Sequence, residues 1–359
     1  MFNKLKNIIT HTNIPDKSII DLLTETTIGT NGAKYKHLHT KTKIHSLHKP
    51  HYISIRKNSK VIGNMTVCER PILINKINFN SFYVRYFAFD SLFQSKGKTT
   101  EKKRTSLFEN YLQSLFSSSN INANTPENKP SMYWAFIDPE NNRSWNMANR
   151  FGFETIGYFS TFAFSRFFPK KHKSVNRITI TEQQNTWEQI KNFYKDHSNL
   201  SKTHLFTQNN YFVFKENNKV VAGVQVHKAH WEIENLPGIK GKLLLKTLPY
   251  IPFINRIINP KNYRFLAIEG LYWEKGHSDK IEPLLESVLA EINCHSMLMW
   301  IDNGDENLIN QFNTMELGVL QKLKSDNSIE IVAKFNNFDE QLKNNVIHSL
   351  KYISGFDTT

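Results

Sequence analysis

The strongest constraint in this sequence is that its two halves present the same kinds of element in the same order. In the first half, residues 52–56, a polar turn and residues 60–67 read as a β-hairpin. In the second, residues 211–215, a turn at Asn217-Asn218 and residues 219–226 read the same way. Each hairpin is followed by a strand, at 82–89 and 263–268, and then by a glycine-containing loop. An amphipathic helix comes next. It carries Leu107, Tyr111, Leu112 and Leu115 in the first half, and Ile281, Leu284, Leu285, Val288, Leu289 and Ile292 in the second, at i, i+3, i+4, i+7 spacing. Apolar runs at 132–137 and 297–301 read as buried strands. Two unrelated α/β domains can share such parts, but the interval from Asn141 to Gly152 equals that from Asn307 to Gly318, which favours a repeat.

The most informative single segment is 141–153. It follows the apolar run and an Asp138-Pro139 break, and has the form Asn-x-x-small-x-x-apolar-x-x-basic-x-Gly-Phe. A helix closed by glycine is a common device, because glycine accepts the left-handed conformation past a helix end. This spacing resembles the late helix and turn of the GCN5-related N-acyltransferases, the GNAT superfamily. With the repeated order of parts, the resemblance implies an α/β fold (α+β by some schemes) of two tandem GNAT-like domains. Each would be a mixed, mostly antiparallel sheet flanked by helices. The expected division is 1–170, a linker at 171–178 overlapping the basic proline-containing stretch 168–177, and 179–359, with an apolar and basic insertion at 236–260.

The resemblance further implies an acyl-CoA co-substrate, acetyl or longer. The family's phosphate loop follows an apolar strand end and opens a helix, where glycine lets backbone N–H groups converge on an anion. In the first half Phe89, Gln94, Ser95, Lys96, Gly97, Lys98 and Thr99 occupy this stretch, with Thr99 where the family prefers Gly or Ala. A solvated loop is the alternative reading of its lysines. In the second half Trp273 replaces the Gln or Arg and only Gly276 fits, so the first half is the better coenzyme A candidate. Asn141 and Ser144 are expected beside the thiol arm.

For the chemistry, the resemblance implies an amine attacking an acyl thioester, with a tyrosine on the late helix protonating the thiolate. Ala148 and Thr314 stand at the tyrosine position, so that acid is missing. Tyr158 or Tyr86 could substitute, or each is a core or strand aromatic. Asp90 and Glu269 both follow an apolar strand end and read as equivalent, either as bases or as acids complementing a helix N-terminus. Five histidines, His37, His39, His45, His48 and His51, crowd one segment without a metal-ligand pattern; we read them as surface and strand residues, with no metal.

Net charge is +14, which suits coenzyme A phosphates, RNA or an anionic membrane surface, and is equally explained by a general bias towards lysine. Two distant cysteines exclude a disulfide framework, and a polar N-terminus with no long apolar run gives the expectation of a cytoplasmic protein. The amine acceptor reads as a small molecule, a lipid amine or a protein. A Fem-type transferase using aminoacyl-tRNA, also a tandem GNAT, is the second reading. A degenerate GNAT-like protein that binds without turnover is the third. The 236–260 insertion reads as a cover for a lipid-like substrate, a peripheral membrane contact, or a helical flap packed on the core.

Overall fold

The computed structural model describes residues 8–29, 33–70, 72–74, 77–90, 107–118, 121, 129–236, 238–324 and 327–359. The first elements are β1 Ile9–Thr12, α1 Lys17–Glu25, β2 Lys34–His37, α2 Thr40–His45, β3 Pro50–Lys57, β4 Lys60–Glu69, β5 Ile72–Ile74 and β6 Ile77–Phe89. They continue with α3 Leu107–Phe116, β7 Ser131–Ile137, α4 Asn142–Arg150, β8 Glu154–Ser165, β9 Val175–Arg177, α5 Ile180–Phe193, β10 His197–Ser198, β11 Tyr211–Glu216 and β12 Lys219–Asn235. The last are α6 Gly238–Thr247, α7 Ile254–Ile257, β13 Tyr263–Trp273, α8 Ile281–Ile292, β14 Ser296–Asp302, α9 Glu306–Thr314, α10 Val319–Leu323, β15 Ser328–Asn336, α11 Glu340–His348 and β16 Leu350–Lys351.

Two compact units emerge, and neither is a contiguous half of the sequence. One takes the described residues of Met1–Ile28, Leu38–Ile156 and Ile331–Ile347; the other takes those of Gly29–His37, Gly157–Glu330 and His348–Thr359. Most of β8 therefore belongs to the second unit although it follows α4 of the first. Conversely, the C-terminal part of β15 belongs to the first unit although it follows α10 of the second.

In the first unit β1, β3, β4 and β6 form an antiparallel ladder, and β7 adds parallel to β6. The β3–β4 turn has Asn58 at φ 48° and Ser59 at φ 67°, the paired positive φ values of a hairpin turn that follows the strand twist. Phe82, Tyr133, Leu112, Phe116, Phe151, Phe153 and Val332 share one core, and Tyr111 and Leu115 of the same helix stripe pack against it. Val332 comes from β15. Its neighbour Lys334 donates to the Phe151 carbonyl at 2.8 Å, and Asn336 to that of Phe116 at 2.9 Å.

In the second unit β9, β11, β12 and β13 are antiparallel neighbours. β14 runs parallel to β13 and antiparallel to β8. The β11–β12 turn repeats the first hairpin's device, with Asn217 at φ 50° and Asn218 at φ 62°. α8 spans the residues expected from its apolar spacing and buries Ile281, Leu284, Leu285, Val288 and Leu289. β2, from the early histidine segment, pairs with the end of β12, and Tyr35 and His37 stack on Trp231 at 4.4 and 5.2 Å.

Two expectations are corrected. The stretch 168–177 is not simply a linker: Val175–Arg177 is an edge strand on β11, and the His172 N–H donates to Ser287 Oγ at 2.5 Å. The residues read as a loop after Ile268 continue β13 to Trp273, because Leu271 and Tyr272 are wholly buried and extended pairing lets them pack.

Candidate active site

The feature shared by both units is a pair of parallel strands that separate. In the first unit β6 and β7 are laddered through four rows, residues 80–83 against 131–134; beyond Tyr83 they are not paired with each other. At the same level the β4–β6 register slips, from Thr66 opposite Arg85 to Asn64 opposite Ala88, and Tyr86 takes φ 50°. This bulge redirects the strand. Ser54, Asn64 and Thr66 form a buried hydrogen-bonded chain beneath it, at 2.9 and 3.0 Å. Around the separation Val84, Phe87, Phe89, Ala135, Met147 and Ala148 are partly buried and pack on the first core.

Met147 and Ala148 are placed there by α4, whose ends are both fixed by the sequence. Asn141 Oδ1 accepts the Ser144 N–H at 3.1 Å as the N-cap. Replacing such a cap costs about 1 kcal/mol. At the other end Gly152, at φ 79°, donates to the Asn149 carbonyl and Phe153 to that of Ala148, both at 3.0 Å, the paired bonds of a Schellman motif. Asn141 and Ser144, expected at the coenzyme, are thus engaged with each other in capping. Arg150 pairs with Glu109 at 2.7 Å, tying α4 to α3.

In the second unit the same separation follows only two rows, Leu266 with Met297 and Ala267 with Leu298. A register slip between Gly223 and Gln225 faces Gly270 at φ 57°. A side chain at Gly270 would be strained and would meet Leu205 at 2.5 Å. The space beside this bulge is filled by the unit's own C-terminal segment. The Gly270 N–H donates to the Tyr352 hydroxyl at 2.9 Å, Tyr211 donates to the Gly270 carbonyl at 3.1 Å, and Tyr194 to that of Leu271 at 2.6 Å. Burial pushes all three tyrosines well above their ordinary pKa, so they stay neutral hydroxyls. What remains is a cavity of about 10 Å³, the size of one water, lined by Glu269, Asp302 and Lys351 among others.

The register also corrects the pairing of the two acids. Arg85 stands opposite Thr66 as Glu269 stands opposite Gln225, each just before its bulge. Glu269 is therefore matched by Arg85, and Asp90 by Glu274. Asp90 and Glu274 both follow the strand, donate their N–H back to Ile62 and Val221 at 3.0 and 2.8 Å, and pair with Lys60 and Lys219 at 2.8 and 3.0 Å. Glu269 lies within β13, buried, with His227 Nε2 at 2.9 Å and the Phe356 N–H at 3.2 Å on one oxygen. The sequence match failed because Glu269 stands in mid-strand and Asp90 after the strand end.

A similar slip affects α9. Its N-cap is Asp305, accepting from Leu308 at 3.0 Å, so Asp305 and not Asn307 corresponds to Asn141. The counterpart of Ala148 is then the buried Phe312, not Thr314. Gly318, expected to end this helix, instead precedes α10 as its N-cap. Neither helix carries a hydroxyl at the expected position. Tyr158 lies on β8 in the second unit with its side chain exposed, and its carbonyl accepts the Asn303 N–H at 2.8 Å.

Phe89 ends β6 as expected. Gln94, Ser95, Lys96, Gly97, Lys98 and Thr99 lie outside the described residues. The early histidines form no metal-ligand group: among the described residues no three His, Cys, Asp or Glu side chains gather for a metal. His51 instead bonds Glu69 at 3.0 Å and Asn13 at 3.1 Å. No described helix is long and apolar enough to cross a membrane.

No protein-family model matches the chain, and no curated protein matches it in sequence. Solved structures do. Saccharomyces cerevisiae N-myristoyltransferase with bound myristoyl-CoA is similar at TM-score 0.56 and 8 % identity, over 96 % of this chain and 89 % of that one. The same enzyme with myristoyl-CoA and inhibitors is similar at TM-score 0.54 and 9 % identity, over 96 % and 85 %. The fold is GNAT-like over nearly the whole length, a mixed α/β architecture with mostly antiparallel sheet.

Proposed function

We propose that this protein is an N-acyltransferase that moves an acyl group from acyl-CoA to an amine, with the donor held by the first unit. The carrying observation is that the β6–β7 ladder ends after Tyr83 next to partly buried apolar residues of β6, β7 and α4, while the corresponding place in the second unit is filled by Tyr352. The likeness to a myristoyl-CoA-binding enzyme is in fold, and agrees with a long acyl chain as readily as with acetyl.

In this reading the thioester lies along β6 past the bulge, and the apolar lining holds the acyl and pantetheine carbons. The amine nitrogen attacks the thioester carbon, the C–S bond breaks to leave coenzyme A thiolate, and the amine proton passes to solvent. Positioning supplies the rate. Asp90 and Glu269, held by Lys60 and by His227, act in the fold rather than in proton transfer. The phosphate-binding role of residues 94–99 is part of this proposal, and the acceptor is an amine on a small molecule, a lipid or a protein.

A binding protein without turnover is the second reading, favoured by Ala148 and Phe312 where the family's acid belongs. Calorimetric titration of the full chain with acetyl-, octanoyl- and myristoyl-CoA tests the donor, and release of free thiol with an amine panel tests transfer. Binding of an acyl-CoA that Gly97→Glu abolishes supports the proposal. Failure of every acyl-CoA to bind overturns it, and binding with no thiol release on any amine selects the second reading.

A further inference from the structure

We propose that the segment from Gly238 to Ile257, with Phe168, is a docking surface for an anionic lipid bilayer. Six large apolar side chains of the second unit meet solvent here: Phe168 at 64 % exposure, Ile239 at 88 %, Leu243 at 60 %, Tyr250 at 82 %, Ile251 at 38 % and Phe253 at 52 %. Ile239 and Leu243 are one turn apart on α6, interleaved with exposed Lys242 and Lys246. Phe253 and Phe168 meet edge to face at 5.9 Å, and the Arg256 guanidinium lies over both rings at 5.6 and 5.8 Å.

The segment is held in this pose. Leu248 and Ile257 are its buried anchors, at 3 and 1 % exposure. Phe253 sits at φ 67°, a conformation a bulky residue adopts only where its surroundings impose it. Two residues of the segment are thus buried, while the aromatic and aliphatic tips are exposed.

Charge identifies the occupant. From Asn235 to Ile268 the sequence holds Lys240, Lys242, Lys246, Arg256, Lys261 and Arg264 and no acidic residue. Apolar tips interspersed with lysine and arginine match an interface of acyl chains below anionic headgroups. A second copy of the same surface would set like charges against each other. Bilayer attachment requires no acyl transfer, so the two proposals fail separately.

Sedimentation of the full chain with phosphatidylcholine vesicles, with and without about 30 mol % phosphatidylserine, tests this. Binding is expected on the anionic vesicles, weakened about tenfold or more by Ile239→Glu with Phe253→Glu and by raising salt from about 0.1 to 0.5 M. Both substituted side chains are exposed, and an unchanged melting temperature verifies that the variant folds. Equal binding by wild type and variant, or no binding to anionic vesicles, overturns the proposal. So does self-association of the wild type in sedimentation velocity that the variant abolishes.

Discussion

The Gly270 amide and the Tyr352 hydroxyl are 2.9 Å apart at the second unit's bulge, so the backbone N–H at that bulge is already satisfied from within the chain. Removing the hydroxyl in Tyr352→Phe leaves that buried N–H without its acceptor. The expected cost is about 1–3 kcal/mol in urea unfolding. Acyl-CoA stoichiometry is expected to stay unchanged, because the proposed donor site is in the first unit. A second acyl-CoA bound by the variant, with no change in the wild type's single site, refutes the filled-site reading.

A chain ending at residue 170 retains β1 to β8 but loses Val332, Lys334 and Asn336, which complete the first unit. We expect it to show no cooperative thermal transition, whereas the full chain unfolds cooperatively. A sharp melt of the 1–170 fragment would restore two autonomous halves.

Lys351 gives a pH signature. It is 2 % exposed, and burial lowers its pKa from 10.5 to about 8 although Asp302 acts to raise it. Between these values the unfolded chain holds a proton that the folded chain has lost. Unfolding then takes up a proton, and this residue's contribution to stability rises with pH. At pH 7 it is protonated in both states, and the full penalty, about 3 kcal/mol at most, is present. Lys351→Met is therefore expected to be more stable than wild type at pH 7, with the difference shrinking towards pH 10. A difference that is constant with pH contradicts the buried, depressed lysine.

Asp90→Asn tests the reassignment of the acids. With Asp90 matched to Glu274 as a partner of a strand-start lysine, we expect turnover within about fivefold of wild type and a modest loss of stability, since exposed pairs contribute about 1 kcal/mol or less. A fall of about a hundredfold or more in kcat would return Asp90 to proton transfer.

The local elements were legible because each is fixed by nearby residues. Asn217-Asn218 marked a turn that needs positive φ, the Ile281 to Ile292 stripe marked α8, and Gly152 marked the end of α4. What escaped was set by distant partners. Val175–Arg177 is a strand only because β11 offers an edge, and no composition cue assigns 331–336 to the first unit. The strand end hid the residue correspondence. β13 runs past Ile268 to Trp273, so the residue that corresponds to Glu269 is Arg85 and not Asp90. Caps were decisive in the same way, since Asp305 and not Asn307 begins α9.

The most direct test of the donor site is calorimetric titration of myristoyl-CoA and acetyl-CoA into the full chain and into Ala148→Trp. That substitution places an indole among the partly buried residues beside β6. The account predicts one acyl-CoA per chain, weakened about tenfold or more in the variant with its melting temperature nearly unchanged. Unaltered affinity in Ala148→Trp, or two sites per chain, would contradict it.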